Sequence, residues 1–199
     1  MHNNKNITEY TVHPLFAKRW SPRAFDARPI DREIIMSIFE AGRWAASAYN
    51  EQPWRFIVGY NQDTTHAKIV DVLDDFNTLW APTAPLLVLT LIKKDFTNPE
   101  YGSNYHALHD LGMATAHMTL QALEHEVYAH HMAGFDREKA HTLFTIPEGY
   151  EPATIIAFGY AGDAATLPEG LQQAEQAPRT RKDFSEFIFQ ETFGQSASL

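Results

Sequence analysis

The sequence predicts an α/β-type layered domain in which helices cover a small sheet. Stretches with helical apolar periodicity alternate with short, continuous apolar runs over the 199 residues, and no repeat, low-complexity block or linker divides them. Hydrophobic residues make up 44% of the chain and charged residues 21%, which is ordinary for a globular protein. A chain of this length suits one domain, so we expect residues 1–199 to form a single domain.

The first predicted elements lie in the first third of the chain. Asp31 can cap a helix over about residues 32–46. Residues 47–50 end this helix, Pro53 follows the break, and a short strand is predicted at 56–58. The apolar stripe of the helix is formed by Ile34, Ile38, Ala41 and Ala45.

The longest predicted helix covers about residues 104–126. Its apolar area is broad, which indicates burial on more than one face, as at a subunit interface. One side of it is lined by Leu108, Leu111, Thr115, Met118 and Ala122. The other elements are a helix over about 64–79, strands at about 86–92, 127–130 and 154–160, and a helix beginning at Asp136.

The chain ends in a polar stretch rich in Gln and Glu, followed by an aromatic tail. The tail carries Phe184, Phe187, Phe189 and Phe193. So much aromatic surface needs a cover. By default we expect the tail to pack on its own core, and the alternative is that it wraps a partner subunit.

Composition excludes several classes of protein. A net charge of −9 argues against general nucleic-acid binding. The longest apolar run, residues 84–92, is far shorter than the roughly 20 residues of a membrane helix. Residues 1–8 show no apolar leader segment, and cysteine is absent. We therefore expect a cytoplasmic protein without disulfides or thiolate metal sites.

Familiar catalytic motifs are missing. The chain has no G-x-G-x-x-G fingerprint, no phosphate-binding P-loop and no G-x-S-x-G nucleophile elbow. His125 and His130 are one step too far apart for the zinc-protease pattern. His106, His109 and the adjacent Asp110 have workable metal spacing but no firm third ligand. We favour structural or surface histidines and predict no metal site.

Basic residues gather in two short windows of this acidic chain. They are Lys18, Arg19 and Arg23 in one window, and Arg179, Arg181 and Lys182 in the other. Arg forks match phosphate oxygens, and the hydroxyl of Ser21 can donate to the same group. A local anion site such as a phosphate site is one interpretation. Solvated loops paired with surface carboxylates are the other, and charge alone does not choose between them.

A second candidate segment follows the first helix. Ser47-Ala48-Tyr49-Asn50-Glu51-Gln52-Pro53-Trp54 packs small residues and two amides into an irregular turn. Backbone and amide groups of such a turn can face a planar heterocycle with donors and acceptors. The simpler interpretation is that they are capping and turn residues.

Taken together, these segments resemble the nitroreductase family of flavoproteins. The stretches that carry the resemblance are Arg19-Trp20-Ser21-Pro22-Arg23-Ala24-Phe25, Ala45 to Phe56, Met132-Ala133-Gly134-Phe135-Asp136, and Gly159-Tyr160 followed by Pro178-Arg179-Thr180-Arg181-Lys182. The resemblance implies an α+β fold with helices on both faces of a mainly antiparallel sheet. It also implies an intertwined homodimer with two FMN sites at its interface, and hydride transfer from NAD(P)H to a small flat acceptor by a ping-pong mechanism.

The resemblance assigns the phosphate side of the FMN to the basic windows. Arg19 and Ser21 would hold the phosphate and ribityl end, with Arg179 and Arg181 completing the phosphate site. Arg23 would lie near the pyrimidine edge of the flavin. Both basic windows would then serve one anion. Trp20 belongs to the same motif and is included among the cofactor-binding residues.

The remaining assignments concern the flavin ring. Ser47, Ala48 and Asn50 would approach it from the partner subunit, and Gln52 belongs to the same motif. The backbone N–H of Ala133 would lie at flavin N5, with Gly134 beside it. No side-chain acid or base is required, so no catalytic residue is predicted.

The chain departs from the family pattern at four places. Pro22 stands where many relatives have a hydroxyl residue, and Tyr49 is larger than the usual small residue. An Asn/Lys pair of some members has no clear match near residues 77–82. The segment 93–104, where longer relatives insert lid helices, is short.

The resemblance also concerns the end of the chain. Residues 178–199 are expected to form an arm that contacts the partner subunit.

Two other classes of function remain open. One is a flavin-binding or flavin-sensing dimer without catalysis, or a plain dimeric scaffold. The other is a metal-dependent hydrolase, which stoichiometric metal in the purified protein would support.

Overall fold

The computed structural model describes residues 8–198. Residues 1–7, which hold most of the segment used to predict the absence of a leader, lie outside the described residues. The helices are α1 (Pro14–Lys18), α2 (Arg32–Arg43), α3 (Thr64–Asp71), α4 (Ala107–Glu124), α5 (Arg137–Leu143) and α6 (Glu169–Gln176). The strands are β1 (Trp54–Tyr60), β2 (Leu86–Lys93), β3 (Val127–Met132) and β4 (Tyr150–Tyr160).

The four strands form one antiparallel sheet in the order β1-β2-β4-β3. The central strands β2 and β4 are the most apolar, because both of their faces are covered. Helices lie on both faces of this sheet. The predicted fold class, helices around a small and mainly antiparallel sheet, is confirmed.

The core has one layer on each face of the sheet. On one face α2 and α4 pack over the sheet, with Ile38 and Met118 fully buried against Phe158. On the other face α3, α5 and α6 pack over it, and Trp80 is buried there with Leu89. Alternating residues of β2 therefore supply both layers. No helix within residues 8–198 is long and apolar enough to cross a membrane.

The helix α2 differs from its prediction in length and phase. It ends at Arg43, and its buried residues are Ile35, Ile38 and Gly42. Of the predicted stripe, Ile38 and Ala45 are buried, whereas Ile34 and Ala41 are half-buried. A Cβ on Gly42 would lie 2.7 Å from the Met118 Cγ. Helix α2 therefore turns the face with Gly42 toward α4, because a larger residue would not fit there. The sequence prediction considered only larger apolar residues and did not include Gly42.

The helix predicted over 64–79 is too long, because α3 ends at Asp71. Backbone hydrogen bonds to a distant loop replace the helical ones after this point. The Asp74 N–H donates to the Gly134 carbonyl at 3.1 Å, and the Asp136 N–H donates to the Val72 carbonyl at 2.8 Å. These bonds fix the loop after β3 against the segment after α3.

Two further differences concern single elements. In α4, Leu108 is 62% exposed instead of lining the buried side, whereas Leu111 and Met118 are buried as predicted. The polar stretch after β4 contains α6, a helix that the prediction missed. Its buried residues are Leu171 and Glu175.

The aromatic tail does not pack on its own core, which corrects the default expectation. Phe184, Phe187 and Phe193 are 42%, 55% and 95% exposed. Phe184 instead makes an edge contact with Tyr10 of the N-terminal segment, at 5.5 Å between ring centroids. The apolar surface of the tail remains largely uncovered in the single chain.

Candidate functional site

The two basic windows meet at one cavity of about 220 Å³. Its wall is formed by the loop after α1, the end of α6 and the segment that follows α6. Of the predicted site residues, this cavity gathers Arg19, Trp20, Ser21, Arg23, Arg179 and Arg181. Residues 160 positions apart in the sequence are thus neighbours, as a shared anion site requires.

Positive charge in this cavity is crowded and only partly compensated. Burial, and then the charge of Arg181, lowers the pKa of Arg19. Burial, followed by the charges of Arg19 and Arg181, lowers the pKa of Arg179. Among residues 8–198, the buried Arg179 Nη2 and Arg23 Nε atoms have no hydrogen-bond partner. Buried cationic donors without an acceptor are suited to hold an anion.

The two lysines of the basic windows fit the alternative interpretation, in which basic residues pair with surface carboxylates. Lys18 pairs with Glu126, and Lys182 lies 4.0 Å from Glu186, both at the surface. The arginines behave differently. The Arg179 Nη1 donates to the Arg19 carbonyl at 3.0 Å, and the Arg19 Nη1 donates to the Ser21 hydroxyl at 3.4 Å.

Within the part of the chain that the structure describes, Glu175 of α6 is the one carboxylate in the wall of this cavity, and sequence reasoning missed it. Its side chain is 1% exposed and lies 3.9 Å from the Arg23 guanidinium. A glutamate in a polar stretch gives no local sign that it is buried. Its neighbour Leu171, the apolar residue four positions before it, was the available signal for an amphipathic helix.

The second candidate segment, residues 47–52, is a strained turn. Tyr49, Asn50 and Gln52 have φ angles of 52°, 55° and 50°, a left-handed backbone that costs non-glycine residues of order 1 kcal/mol or more each. The Ser47 hydroxyl accepts from the Gln52 N–H at 3.0 Å, which stabilises the turn. Strain of this kind is typical of functional loops.

Two carboxylates tie this turn to neighbouring elements. The buried Asp110 of α4 accepts from the Ala48 N–H at 3.1 Å. Glu51 accepts from the Lys93 ammonium at 3.0 Å and from the Thr97 N–H at 2.9 Å. Desolvation alone would raise the pKa of Glu51, but the bonds from Thr97 and Lys93 lower it. Asp110, considered above as a metal ligand, thus binds the backbone N–H of Ala48.

Ser47 and Ala48 do not line the basic cavity. They face a separate one of about 260 Å³ beside His106, His109 and Asp110 of α4. The two predicted flavin segments therefore lie in different cavities of one protomer. No group of three or more His, Asp or Glu side chains within residues 8–198 is arranged to hold a metal ion.

An exposed aromatic cluster extends the second segment. The Tyr49 ring stacks on Tyr101 at 4.8 Å between centroids and meets the edge of Phe96 at 5.7 Å. Tyr49 is 76% exposed and Tyr101 50%. The loop after β2, short as predicted, thus presents a flat aromatic surface next to residues 47–52.

The third segment, Ala133-Gly134, follows β3 and lies against residues 74–77. The Asn77 side-chain amide donates to the Gly134 carbonyl at 3.0 Å, and the Asp74 carboxylate accepts from the Asn77 N–H at 2.7 Å. Ala133 is exposed, and its N–H makes no hydrogen bond within residues 8–198. Asn77 lies in the region where sequence reasoning found no clear match for the Asn/Lys pair of some family members.

His130 connects the third segment with the first. It lies on β3, and its Nδ1 donates to the Pro22 carbonyl at 2.9 Å. Its ring also packs against Trp80, at 4.4 Å between centroids. Burial, opposed by the bond to Pro22 and assisted by the charge of Arg23, lowers the pKa of His130 to about 4. The imidazole is therefore neutral near pH 7, and it fixes the loop between Ser21 and Arg23.

Comparison with known proteins agrees with these features. The sequence model of the Nitroreductase family matches residues 16–79. A solved structure described as an oxidoreductase containing FMN is 30% identical, covers 98% of this chain and 100% of its own, and superposes with a TM-score of 0.91. A nitroreductase family protein of Clostridium difficile 630 is 27% identical, with coverage of 90% and 97% and a TM-score of 0.71.

A further relative is known by sequence. An uncharacterized 15.4 kDa protein of Mycolicibacterium smegmatis is 33% identical over 149 residues, which is 70% of this chain and 97% of that protein. The similarity therefore extends over most of the chain.

Proposed function

Because the chain belongs to the nitroreductase family, we propose that it is an FMN-dependent oxidoreductase that takes hydride from NAD(P)H and reduces a small flat acceptor such as a nitroaromatic or a quinone. The basic cavity carries this proposal. It offers two buried guanidinium atoms that have no acceptor within residues 8–198, the Arg179 Nη2 for the phosphate of FMN and the Arg23 Nε for its pyrimidine edge. The similarity to an oxidoreductase containing FMN supports the same cofactor.

The three segments would divide the cofactor between them. Arg19, Ser21, Arg179 and Arg181 would bind the phosphate and ribityl end, with Trp20 packed beside them. Arg23 would face the pyrimidine edge. These assignments use the side chains that line the cavity in the structure.

The flavin ring would be held by backbone and amide groups. The Ala133 N–H would donate to N5, since it is exposed and has no other acceptor within residues 8–198. Gly134 would lie beside it. Ser47, Ala48, Asn50 and Gln52 would come from the partner subunit, because they lie outside the basic cavity of their own protomer.

When bound, FMN would supply two-electron hydride chemistry, alternating between NAD(P)H and the acceptor in a ping-pong cycle. The protein would supply orientation and electrostatics. An Ala133 backbone donor and the Arg23 cation would favour the more negative, reduced form of the cofactor. No side chain of this chain needs to act as acid or base.

The proposal includes a homodimer of single-domain protomers, in which residues 178–199 form an arm. The exposed Phe184, Phe187 and Phe193 support this, because a partner subunit would cover them. We place this dimer in the cytoplasm, without nucleic-acid or membrane partners.

An absorption spectrum of the purified protein tests the function. The protein is mixed with FMN and then with NADH or NADPH without oxygen. We expect bound flavin whose absorption bands bleach on addition of the nicotinamide, and reoxidation by a quinone. A flavin that stays oxidised would identify a binding or sensing protein instead. A protein that takes up no FMN would overturn the proposal.

The variant Arg23→Ala is expected to lower the reduction potential of the bound flavin. Loss of this cation removes an interaction that is stronger with the reduced form. Each tenfold loss in the preference for reduced FMN corresponds to about 30 mV for a two-electron couple. Spectroelectrochemical titration measures the potential, with Arg23→Lys as the variant that keeps the charge. An unchanged potential with FMN still bound would remove this role from Arg23.

The variant Tyr49→Ser is expected to raise the KM for aromatic acceptors by about two- to tenfold, because stacking contributes about 0.5–1.5 kcal/mol. Serine keeps a Cβ, so the left-handed backbone at this position is not relieved. Steady-state kinetics separates the two half-reactions, and kcat/KM for the nicotinamide should stay constant. Tyr60→Ser, at an exposed tyrosine of β1, is the matched control. Equal effects of the two variants would disprove a role of Tyr49 in acceptor binding.

A further inference from the structure

Glu175 is a buried carboxylate in a cavity built for an anion. Its side chain is 1% exposed, and it shares the cavity wall with four arginines. A carboxylate opposes the binding of a phosphate, so anion binding alone does not explain its presence. A buried carboxylate also costs free energy unless hydrogen bonds and opposite charge compensate it.

Nearly all of this compensation comes from one place, the loop at Arg23. The Glu175 Oε1 accepts from the Arg23 N–H at 2.9 Å and from the Ala24 N–H at 3.3 Å. The Oε2 accepts from the Arg23 N–H at 3.2 Å and lies 3.9 Å from the Arg23 Nη1. Glu175 therefore holds both the backbone and the guanidinium of the same residue.

The position of Glu175 in the chain adds a second connection. Helix α6 ends at Gln176, and the chain then leads to Arg179 and Arg181. Contacts of Glu175 with Arg23 therefore join the loop after α1 to the segment after α6. The bond from the Arg179 Nη1 to the Arg19 carbonyl joins the same two segments a second time.

The arginines of the cavity are thereby divided into two kinds. Arg19 and Arg179 lie among other cations, and burial, followed by these neighbouring charges, lowers the pKa of each of them. Arg23 has the buried carboxylate of Glu175 beside it. The first kind suits a phosphate with multiple negative charges. Arg23, the second kind, suits a bound group whose charge changes during the reaction. Because Glu175 compensates part of its charge, Arg23 stabilises the negatively charged form of such a group only to a limited extent.

We propose that Glu175 is a positioning residue that fixes Arg23 and offsets its charge, so that it sets the balance between oxidised and reduced FMN. This inference rests on the proposed function. Glu175 has two roles in this proposal. The charge of Glu175 limits the preference for reduced FMN, and its hydrogen bonds to the backbone of Arg23 and Ala24 shape the site for FMN in either state.

Glu175→Gln tests the charge. The glutamine oxygen can still accept from the Arg23 and Ala24 N–H groups, so the loop is retained while the negative charge is lost. We expect the preference for reduced over oxidised FMN to rise about tenfold, which is an increase of about 30 mV in the two-electron potential. The shift is opposite in sign to that of Arg23→Ala. Loss of a purely structural contact would not raise the potential.

Glu175→Asp tests the hydrogen bonds. The shorter side chain keeps the charge but withdraws from the two N–H groups, which weakens hydrogen bonds to a charged acceptor. We expect FMN to bind about tenfold or more weakly, from the cost of such bonds, with a potential close to that of the unchanged protein. Fluorescence titration of the apoprotein with FMN measures this, and it remains informative if Glu175→Gln does not fold.

Glu169→Gln is the matched control, since it makes the same chemical change at an exposed glutamate of the same helix. It should change neither the FMN affinity nor the potential. If the unchanged protein binds no FMN, the proposed function fails and the inference fails with it. If FMN binds but Glu175→Gln leaves the potential unchanged or lowers it, or Glu175→Asp binds FMN normally, the inference alone is overturned.

Discussion

Alanine at position 134 is expected to lower the stability of the fold and to weaken FMN binding. A Cβ on Gly134 would lie 1.9 Å from the Asp74 Oδ2 and 2.8 Å from the Asn77 Nδ2. Both distances are shorter than any non-bonded contact allows, so one side must move. Overpacking of this kind costs about 1–3 kcal/mol.

Neither side of this contact can move without losing hydrogen bonds. The Asp74 carboxylate accepts from the Asn77 N–H, and the Asp74 N–H donates to the Gly134 carbonyl. The Asn77 amide donates to the same carbonyl. Relief of the clash therefore shifts the Ala133 N–H, the proposed donor to flavin N5. We expect the loss of FMN affinity to accompany the loss of stability.

Thermal unfolding and FMN titration measure the two effects of Gly134→Ala. Gly170→Ala is the matched control, because no atom lies within 4 Å of a Cβ built at that glycine in α6. The control should be as stable as the unchanged protein or more stable, since alanine favours a helix. Normal melting and normal FMN affinity of Gly134→Ala would show that the loop does not constrain the site in this way.

Parts of the site that depend on local sequence were predictable. Arg19, Ser21 and Arg23 lie within five residues, and an anion site was one of two interpretations of these basic windows. The second window, at Arg179 and Arg181, could be assigned to the same anion only through the family resemblance. The structure brings both windows to one cavity.

Parts that depend on tertiary contacts were not predictable. The periodicity of residues 64–79 favoured one continuous helix, and only the loop at Gly134 shows why α3 ends at Asp71. Glu175 was assigned to a polar stretch, because burial of a carboxylate depends on distant N–H groups. The strained turn is a similar case, since nothing in Tyr49 itself favours a positive φ.

Acid is expected to destabilise the protein through His130. Its pKa is lowered from 6.5 to about 4, chiefly by burial of the ring. Between these two pH values the unfolded chain binds a proton that the folded chain does not bind. The free energy of unfolding therefore rises with pH in this window and falls on acidification. The contribution of this one group is about 3 kcal/mol over the whole interval.

The variant His130→Asn removes this titrating group from the fold. An asparagine amide can still donate to the Pro22 carbonyl, but it does not titrate. The variant should be less stable at pH 7, because the contact of the ring with Trp80 is lost. Its free energy of unfolding should nevertheless depend less steeply on pH between 6.5 and 4. Urea unfolding at a series of pH values gives both quantities.

The comparison of slopes, rather than of absolute stabilities, decides the outcome. The difference between their curves reports the proton on His130 together with the response of the neighbouring His131, whose pKa is lowered to about 4 by burial and then by the charge of His130. His117→Asn, at an exposed histidine of α4, should leave the slope unchanged. Parallel curves for His130→Asn and the unchanged protein would mean that His130 titrates normally in the fold. The ring would then not be the neutral, buried link between β3 and the loop at Pro22.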